Sequence, residues 1–388
     1  MRSSLTHPVH ASLMSGCAAA KTGVPNNETF VPGQMSSLWF NQLSQMQCDT
    51  LFHAAHRAGL TTCACRWPLT AGGFDVIDYL VPEVLSEDEQ AEPDPEKRFR
   101  AACSPGLFEE IIKPHLPLLE GPRHPSNDHF STACACDILR KYQPNLLMPH
   151  PGMVDAARHQ NGLFGKPVDE ALWLTDEWIG QLMQAANDAG IAPHTSWCIV
   201  SDHGQLDIRL CIALNVFLRD RGWITTDSEG RVTQWEAWAH SAGLSAQIYV
   251  KNRRNEPAVY QAQQEMAQEG LYGFSEVLTA DECLQRYGLA GGFSFVVETD
   301  GFTSFHSDGQ RPAVRPLDIE DYRYGRASHG HMPEKGPQPP MLVSGPAFAR
   351  HVTLETASIL DEAPTFAAAL GLSLEQADGR VLKELLAQ

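Results

Sequence analysis

Cys198-Ile199-Val200-Ser201-Asp202-His203-Gly204 is the stretch from which the rest of the chain can be read. With Trp197 ahead of it, a short apolar run passes directly into a hydroxyl, a carboxylate, an imidazole and a glycine. That pattern predicts a buried strand, Trp197–Val200, ending in a polar turn. A strand apolar on both faces belongs in a parallel sheet covered on both sides. In such sheets the carboxyl ends of the strands open into the crevice where ligands bind. Asp202 and His203 are metal-ligand types, and as neighbours on a tight turn they are expected to diverge and serve two adjacent ions. The bland alternative is an Asp capping the next segment beside a surface His.

The same alternation extends outward. Leu38–Gly59 reads as a helix whose Leu38, Phe40, Leu43, Met46, Leu51 and Phe52 form one buried stripe, ended by Gly59. Thr61–Arg66 reads as a strand, Asp128–Lys141 as a helix, Leu146-Leu147-Met148 as a strand and Val168–Ala189 as a long helix. Downstream, Met341–Ser344 is a strand, and Leu360–Leu370 and Gly379–Leu386 are closing helices. The expectation is an α/β fold: a mostly parallel central sheet flanked by helices on both faces. Residues 206–325 break the rhythm with strand-like Ala246–Lys251 and Phe293–Glu298 and a polar helix near Val259–Glu269. They are read as an inserted subdomain within a single catalytic domain, 1–388.

Composition bounds the chemistry. The 388 residues carry 29 Lys+Arg against 47 Asp+Glu, a formal charge of −18. Acidity of that size argues against a nucleic-acid polymer as partner, because backbone binding needs a basic surface. An anionic substrate would need something other than net charge to attract it, and bound metal would serve. No window approaches the ~18 apolar residues of a membrane helix, and the N-terminus has no apolar core of a secretory signal. Ten cysteines include two Cys-Ala-Cys pairs, Cys63/Cys65 and Cys134/Cys136. Their apolar neighbours favour buried free thiols over a metal site, hence a reducing, cytoplasmic compartment.

Three further segments hold chemistry-bearing residues. Asp155 and His159 are four apart, so on a helical turn they share one face and can chelate one ion. Ala327-Ser328-His329-Gly330-His331 places an imidazole beside a glycine that permits close backbone approach, with His331 as a supporting donor. Thr6-His7-Pro8-Val9-His10 precedes a small-residue step, Ser15-Gly16; Thr6 is either a metal-activated nucleophile or simply a helix N-cap. Among the remaining histidines, His53, His56, His115 and His124 read as surface or packing groups. His240, within the insertion, is a candidate substrate contact.

Taken together, these segments resemble the type I phosphodiesterase/nucleotide pyrophosphatase branch of the alkaline phosphatase superfamily. The match runs through Thr6-x-Pro8-x-His10, Asp155-x-x-x-His159 with Gly162, Ser201-Asp202-His203-Gly204 and His329-Gly330. Gly23-Val24-Pro25-Asn26-Asn27 aligns with the family's phosphate-binding Asn, favouring Asn27. The resemblance implies a metal-dependent hydrolase of phosphodiester or pyrophosphate bonds working through a phospho-Thr6 intermediate. It implies two divalent ions, zinc first: one held by Asp155, His159 and His329, the other by Asp202, His203 and Thr6. The substrate implied is a small phosphate ester or nucleotide-like molecule. The family's first strand and its metal-binding Asp lie some tens of residues ahead of the nucleophile; only five residues precede Thr6 here, so neither has a counterpart in this chain. The alternatives on the same scaffold are a phosphomonoesterase, phosphonate hydrolase or sulfatase-like enzyme, and a metal-binding protein impaired by loss of that Asp.

Overall fold

The computed structural model describes residues 4–32, 38–120 and 123–387. In chain order, the elements that frame the site begin with helix α1 (Thr6–Ser15), helix α2 (Leu51–Arg57), strand β1 (Thr62–Cys65) and strand β2 (Tyr79–Val81). Helix α3 (Ser126–Tyr142), strand β3 (Leu146–Pro149), helix α4 (Met153–Asn161), helix α5 (Lys166–Asp188), strand β4 (Trp197–Val200) and strand β5 (Leu206–Asp207) follow. Then come β6 (Ala237–Ser241), β7 (Ser245–Val250), helix α6 (Glu256–Glu269), β8 (Phe274–Thr279) and β9 (Phe295–Thr299). Last are β10 (Ala327–Ser328), β11 (Met341–Ser344) and helix α7 (Glu362–Ala369).

The α/β expectation is met: β1 pairs in parallel with both β2 and β3, and helices cover both faces. On one face Val9, Leu13 and Met14 of α1 meet Leu51 and Phe52 of α2, Ala64, Met148, and Ala363 and Ala367 of α7. Each large side chain buried there contributes roughly 1.5–3 kcal/mol. On the other face Phe130, Cys134 and Ile138 of α3 pack with Leu182 and Ala185 of α5 on Cys63 and Cys65. Both Cys-Ala-Cys pairs therefore lie in one apolar layer, and burial pushes the Cys63 and Cys134 thiols well above the usual range.

β4 keeps its expected residues but neither the parallel partner nor the burial expected of it: it pairs antiparallel with β11, Met341 opposite Val200, and Cys198 and Ile199 are exposed. Among the described residues β3 and β4 share no ladder, although Leu146 and Val200 border one core face and Leu147 and Trp197 the other. The rhythm break after residue 206 leads into a four-stranded antiparallel sheet in the order β8-β9-β7-β6, with α6 packed against it through Val259 and Met266.

Two expected helices form only in part. Within Leu38–Gly59 the α-helix is confined to Leu51–Arg57, with one 3-10 turn at Leu43–Gln45, and Leu38 is 68% exposed. The Thr50 hydroxyl accepts from the His53 amide and starts the helix there, while the Leu43 amide is taken by the Ala71 carbonyl. Gly379–Leu386 yields only the turn Lys383–Leu385. Its backbone donors go elsewhere: the Arg380 amide to Asp361 Oδ1 and the Leu382 amide to Thr365 Oγ1. Side-chain acceptors on a neighbouring element outcompeted the local helix.

Candidate nucleophile and metal site

α1 is buried nearly all round, so its amphipathic signal is weak and its position is set by packing. The N-cap is Leu5, and Thr6 is the first helical residue with no capping bond from its side chain. The N-cap alternative for Thr6 is thereby corrected. Its Oγ1 instead lies 3.2 Å from His203 Nε2. At the far end Gly16 adopts φ +70°, and a Cβ there would stand 2.8 Å from Ala377 Cβ. The Ser15-Gly16 step thus lets α1 sit against the closing segment.

Asn27 is brought beside this helix start. Its Oδ1 accepts the His7 amide at 2.9 Å, which leaves Nδ2 buried without a hydrogen-bond partner. His7 is buried too, with neither ring nitrogen hydrogen-bonded. Burial, then the neighbouring His10, pushes its pKa down to about 3.

On α4 the i,i+4 spacing acts as expected: His159 Nε2 is 3.1 Å from Asp155 Oδ2. The ring is oriented from behind, where Nδ1–H donates to the Ala327 carbonyl at 2.7 Å. His329 is held likewise, Nδ1–H donating to the Ser4 carbonyl at 2.9 Å. Both tautomers are set, and both Nε2 atoms are left on the side where a cation would sit. His329 Nε2 stands 3.9 Å from Asp155 Oδ1. Gly330, φ +96°, makes this possible, since a Cβ would fall 1.6 Å from the Ala242 carbonyl oxygen.

After β4, Asp202 and His203 do not diverge as expected. His203 Nε2 is 3.1 Å from Asp202 Oδ2, and the His203 ring stacks on His329 at 3.8 Å. The packed, nearly parallel rings turn His203 inward, and its Nε2 lies between Thr6 and the carboxylates. One ligand atom each from Asp155, His203 and His329 lie within 4.8 Å of one another. Burial opposes ionisation of Asp155 and Asp202, yet the adjacent His159 and His203 hold both carboxyls well below the usual range. For His203, burial lowers the pKa but Asp202 and Asp155 outweigh it and raise it overall. Carboxylates, imidazole nitrogens and a hydroxyl make a donor set that fits divalent metal.

Several neighbours were given no role from sequence, although His10 was quoted in the Thr6-x-Pro8-x-His10 match. Gln205 directly follows the Ser-Asp-His-Gly turn and donates from Nε2 to Asp155 Oδ1 at 2.6 Å. Tyr322 stacks on His329 and reaches Trp39, which in turn meets His7. His10 Nδ1 is 3.6 Å from Asp202 Oδ2, and His150 packs against His10. Gln205 stands next to the turn and His10 lies in the Thr6-x-Pro8-x-His10 segment, whereas Tyr322, Trp39 and His150 had no local signal. The two other histidines considered do not join the group: His240 Nε2–H donates to the Glu28 carbonyl, and His331 Nδ1–H to the Met332 carbonyl.

Comparison with known proteins bears on the family and the fold. The family model for type I phosphodiesterase / nucleotide pyrophosphatase matches residues 3–292. Mouse ectonucleotide pyrophosphatase/phosphodiesterase family member 1 is 25% identical over 225 residues, 55% of this chain but 21% of that protein. The chain therefore spans about a fifth of the length of that relative. Among solved structures, murine ectonucleotide pyrophosphatase/phosphodiesterase 5, an inactive variant in complex with AMP, superposes at TM-score 0.67 with 17% identity, covering 99% of this chain and 88% of its own. Phosphonoacetate hydrolase from Sinorhizobium meliloti 1021, in complex with phosphonoformate, gives 0.63 and 14%, covering 95% and 84%. With its fold shared by these structures and three-quarters of its length matched, the chain belongs to the type I phosphodiesterase/nucleotide pyrophosphatase family.

Proposed function

We propose that this chain hydrolyses phosphodiester or pyrophosphate bonds of small, nucleotide-like substrates through a phospho-Thr6 intermediate. The observation that carries the reading is Thr6 Oγ1, free of any capping role, 3.2 Å from His203 Nε2 at the edge of the Asp155–His203–His329 group. Asp155, His159 and His329 would hold one divalent ion, and Asp202 and His203 with Thr6 a second; these donors are compatible with zinc and, by ligand type, with Mn or Fe. Such ions supply Lewis-acid polarisation and neutralise charge that develops during in-line displacement. Thr6 Oγ1 attacks phosphorus, its oxygen–phosphorus bond forms, and the bond to the leaving alkoxide or phosphate breaks. Water then cleaves the phospho-Thr6 ester and returns the hydroxyl. Asn27, its Oδ1 already engaged, directs Nδ2 towards a phosphoryl oxygen, where a fixed donor stabilises the charge that develops.

The charge of −18 speaks against a polymeric nucleic-acid substrate. Residues 206–325 are read as an insertion within one domain, a reading supported by the separate apolar cluster of the antiparallel sheet. The compartment is read as cytoplasmic, supported by nine buried thiols among ten. No described helix is long and apolar enough to cross a membrane.

Parallel assays with nitrophenyl phosphodiester and phosphomonoester substrates, with metal content measured on the same samples, test the proposal. Faster diester cleavage by metal-loaded protein is expected. Faster monoester cleavage would move the reading to a phosphomonoesterase, and binding of metal without turnover would make this an impaired metal-binding protein.

A further inference from the structure

Gln205 is 2% exposed and sits inside the group of metal-ligand residues. Three features fix it there. A Cβ on the preceding Gly204 would stand 2.5 Å from the Pro337 carbonyl oxygen, so the turn passes tightly beneath that segment. β5 then pairs with β10, Leu206 opposite Ser328, which brings Gln205 level with His329. His159 is bonded to Ala327 of the same small sheet. Two residues of backbone pairing thus align the chelating helix, the His329 loop and Gln205.

The amide nitrogen of Gln205 is 2.6 Å from Asp155 Oδ1 and 3.3 Å from His159 Nε2, while its Oε1 is buried with no hydrogen-bond partner. Donor atoms at right angles around one ion at ~2.1 Å stand about 3 Å apart. The spacings within Asp155, His159 and Gln205 are of that size. An N–H pair facing a dication is repelled, whereas a carbonyl oxygen in the same place is attracted. A half-turn of the carboxamide exchanges the two atoms, and the number of unpartnered buried amide atoms does not rise.

We infer that the Gln205 carboxamide oxygen is an additional ligand of the divalent ion held by Asp155, His159 and His329. The inference rests on the metal reading above. It has a consequence for metal choice. Three protein ligands leave tetrahedral zinc one open position, and a fourth closes it. Six-coordinate Mn2+, which accepts carbonyl oxygen readily, keeps room for an incoming group. Gln205 therefore favours Mn2+ over zinc at this site.

Calorimetric titration of the metal-free protein with Mn2+ and, separately, Zn2+ tests this on wild type, Gln205→Met and Gln205→Glu, with Mn2+ binding also read by electron paramagnetic resonance. Gln205→Met should weaken Mn2+ at least tenfold and Zn2+ less than threefold. Gln205→Glu retains an oxygen donor and should bind Mn2+ at least as tightly as wild type, which keeps the test valid if the Met variant folds poorly. Unchanged Mn2+ affinity in Gln205→Met, equal losses for both metals, or weakened Mn2+ binding by a folded Gln205→Glu overturns the inference while the metal reading stands. If the wild type binds neither ion more tightly than Asp155→Asn does, the metal reading itself fails and the inference with it.

Discussion

The two halves of the site are built differently. Around Asp155, His159, Gln205 and His329, backbone carbonyls of Ala327 and Ser4 fix both imidazoles from behind, and Gln205 bonds Asp155 in front. Around Thr6, Asn27 and His203, four polar atoms are buried without hydrogen-bond partners, Asn27 Nδ2, both nitrogens of His7 and His203 Nδ1, against Gln205 Oε1 alone in the first half. Buried polar groups in native proteins are nearly always satisfied, and those that are not cluster where function leaves them to be completed. The first half is set by its frame before anything binds. The second has its geometry from α1 and the turn after β4, but its bonding from a ligand.

The sharpest way to break this contrast is at the open half. Thr6→Ala should reduce turnover by about a thousandfold or more, as expected for loss of a nucleophile, with little change in melting temperature or in metal bound at Asp155. Thr6→Ser should retain part of the rate. Substantial turnover by the Ala variant, measured in the diester assay, ends the covalent mechanism.

Next is the frame of the ordered half. Gly330→Ala forces a Cβ against the Ala242 carbonyl at a φ that side chains avoid. A loss of about 3 kcal/mol or more in urea unfolding is expected, together with weaker metal binding, because His329 cannot keep its place. Normal stability with normal metal affinity would show that the loop has another arrangement.

The halves should also differ in affinity. In the proposed assignment Asp155, His159 and His329 give one ion three protein ligands, and the Asp202–His203 side has two before Thr6 ionises. Calorimetry of the metal-free chain should resolve one tight and one weak class. Asp155→Asn should cost the tight class about a hundredfold or more in Kd, beyond the 10–100-fold typical of an outer-shell change, and Asp202→Asn should affect only the weak one. Two equally tight classes would erase the distinction.

The smallest effect comes from a carboxyl behind the ordered half. Glu298 accepts the Met332 amide at 2.9 Å and so anchors the loop that carries His329. Burial pushes its pKa up from 4.5 to about 8, although the Met332 bond opposes this. The folded protein therefore binds a proton that the unfolded chain has released between these two values. Stability from this group is present below pH 4.5 and falls as pH rises towards about 8, by at most about 1.4 kcal/mol per pH unit. Glu298→Gln should flatten that dependence in urea melts at pH 5 and pH 8. An unchanged slope would place the titration elsewhere.

Legibility followed how local each signal was. The i,i+4 pair Asp155/His159 and the strand Trp197–Val200 were readable because one helical face and one apolar run carry them. Gln205 was not, because a glutamine one residue past a turn has no periodicity and no ligand signature until β5 pairs with β10. The missed end of Leu38–Gly59 has the same cause in reverse: the stripe is helical in spacing, but Ala71 and Thr50 claim the backbone first.

By itself the sequence determined the α/β alternation and the acidic surface, which follow from residue type and spacing along the chain. Thr6, Asp155, His159, Asp202, His203 and His329 became candidates for one site through their resemblance to the family's motifs. Only the tertiary structure decided that Thr6 faces His203 instead of capping its helix, that His203 turns inward to stack on His329, and that Gln205 stands between Asp155 and His159. These depend on contacts between residues some 46 to 197 positions apart in sequence. Their energies come from packing and from backbone acceptors on other elements, and no window along the chain contains both partners.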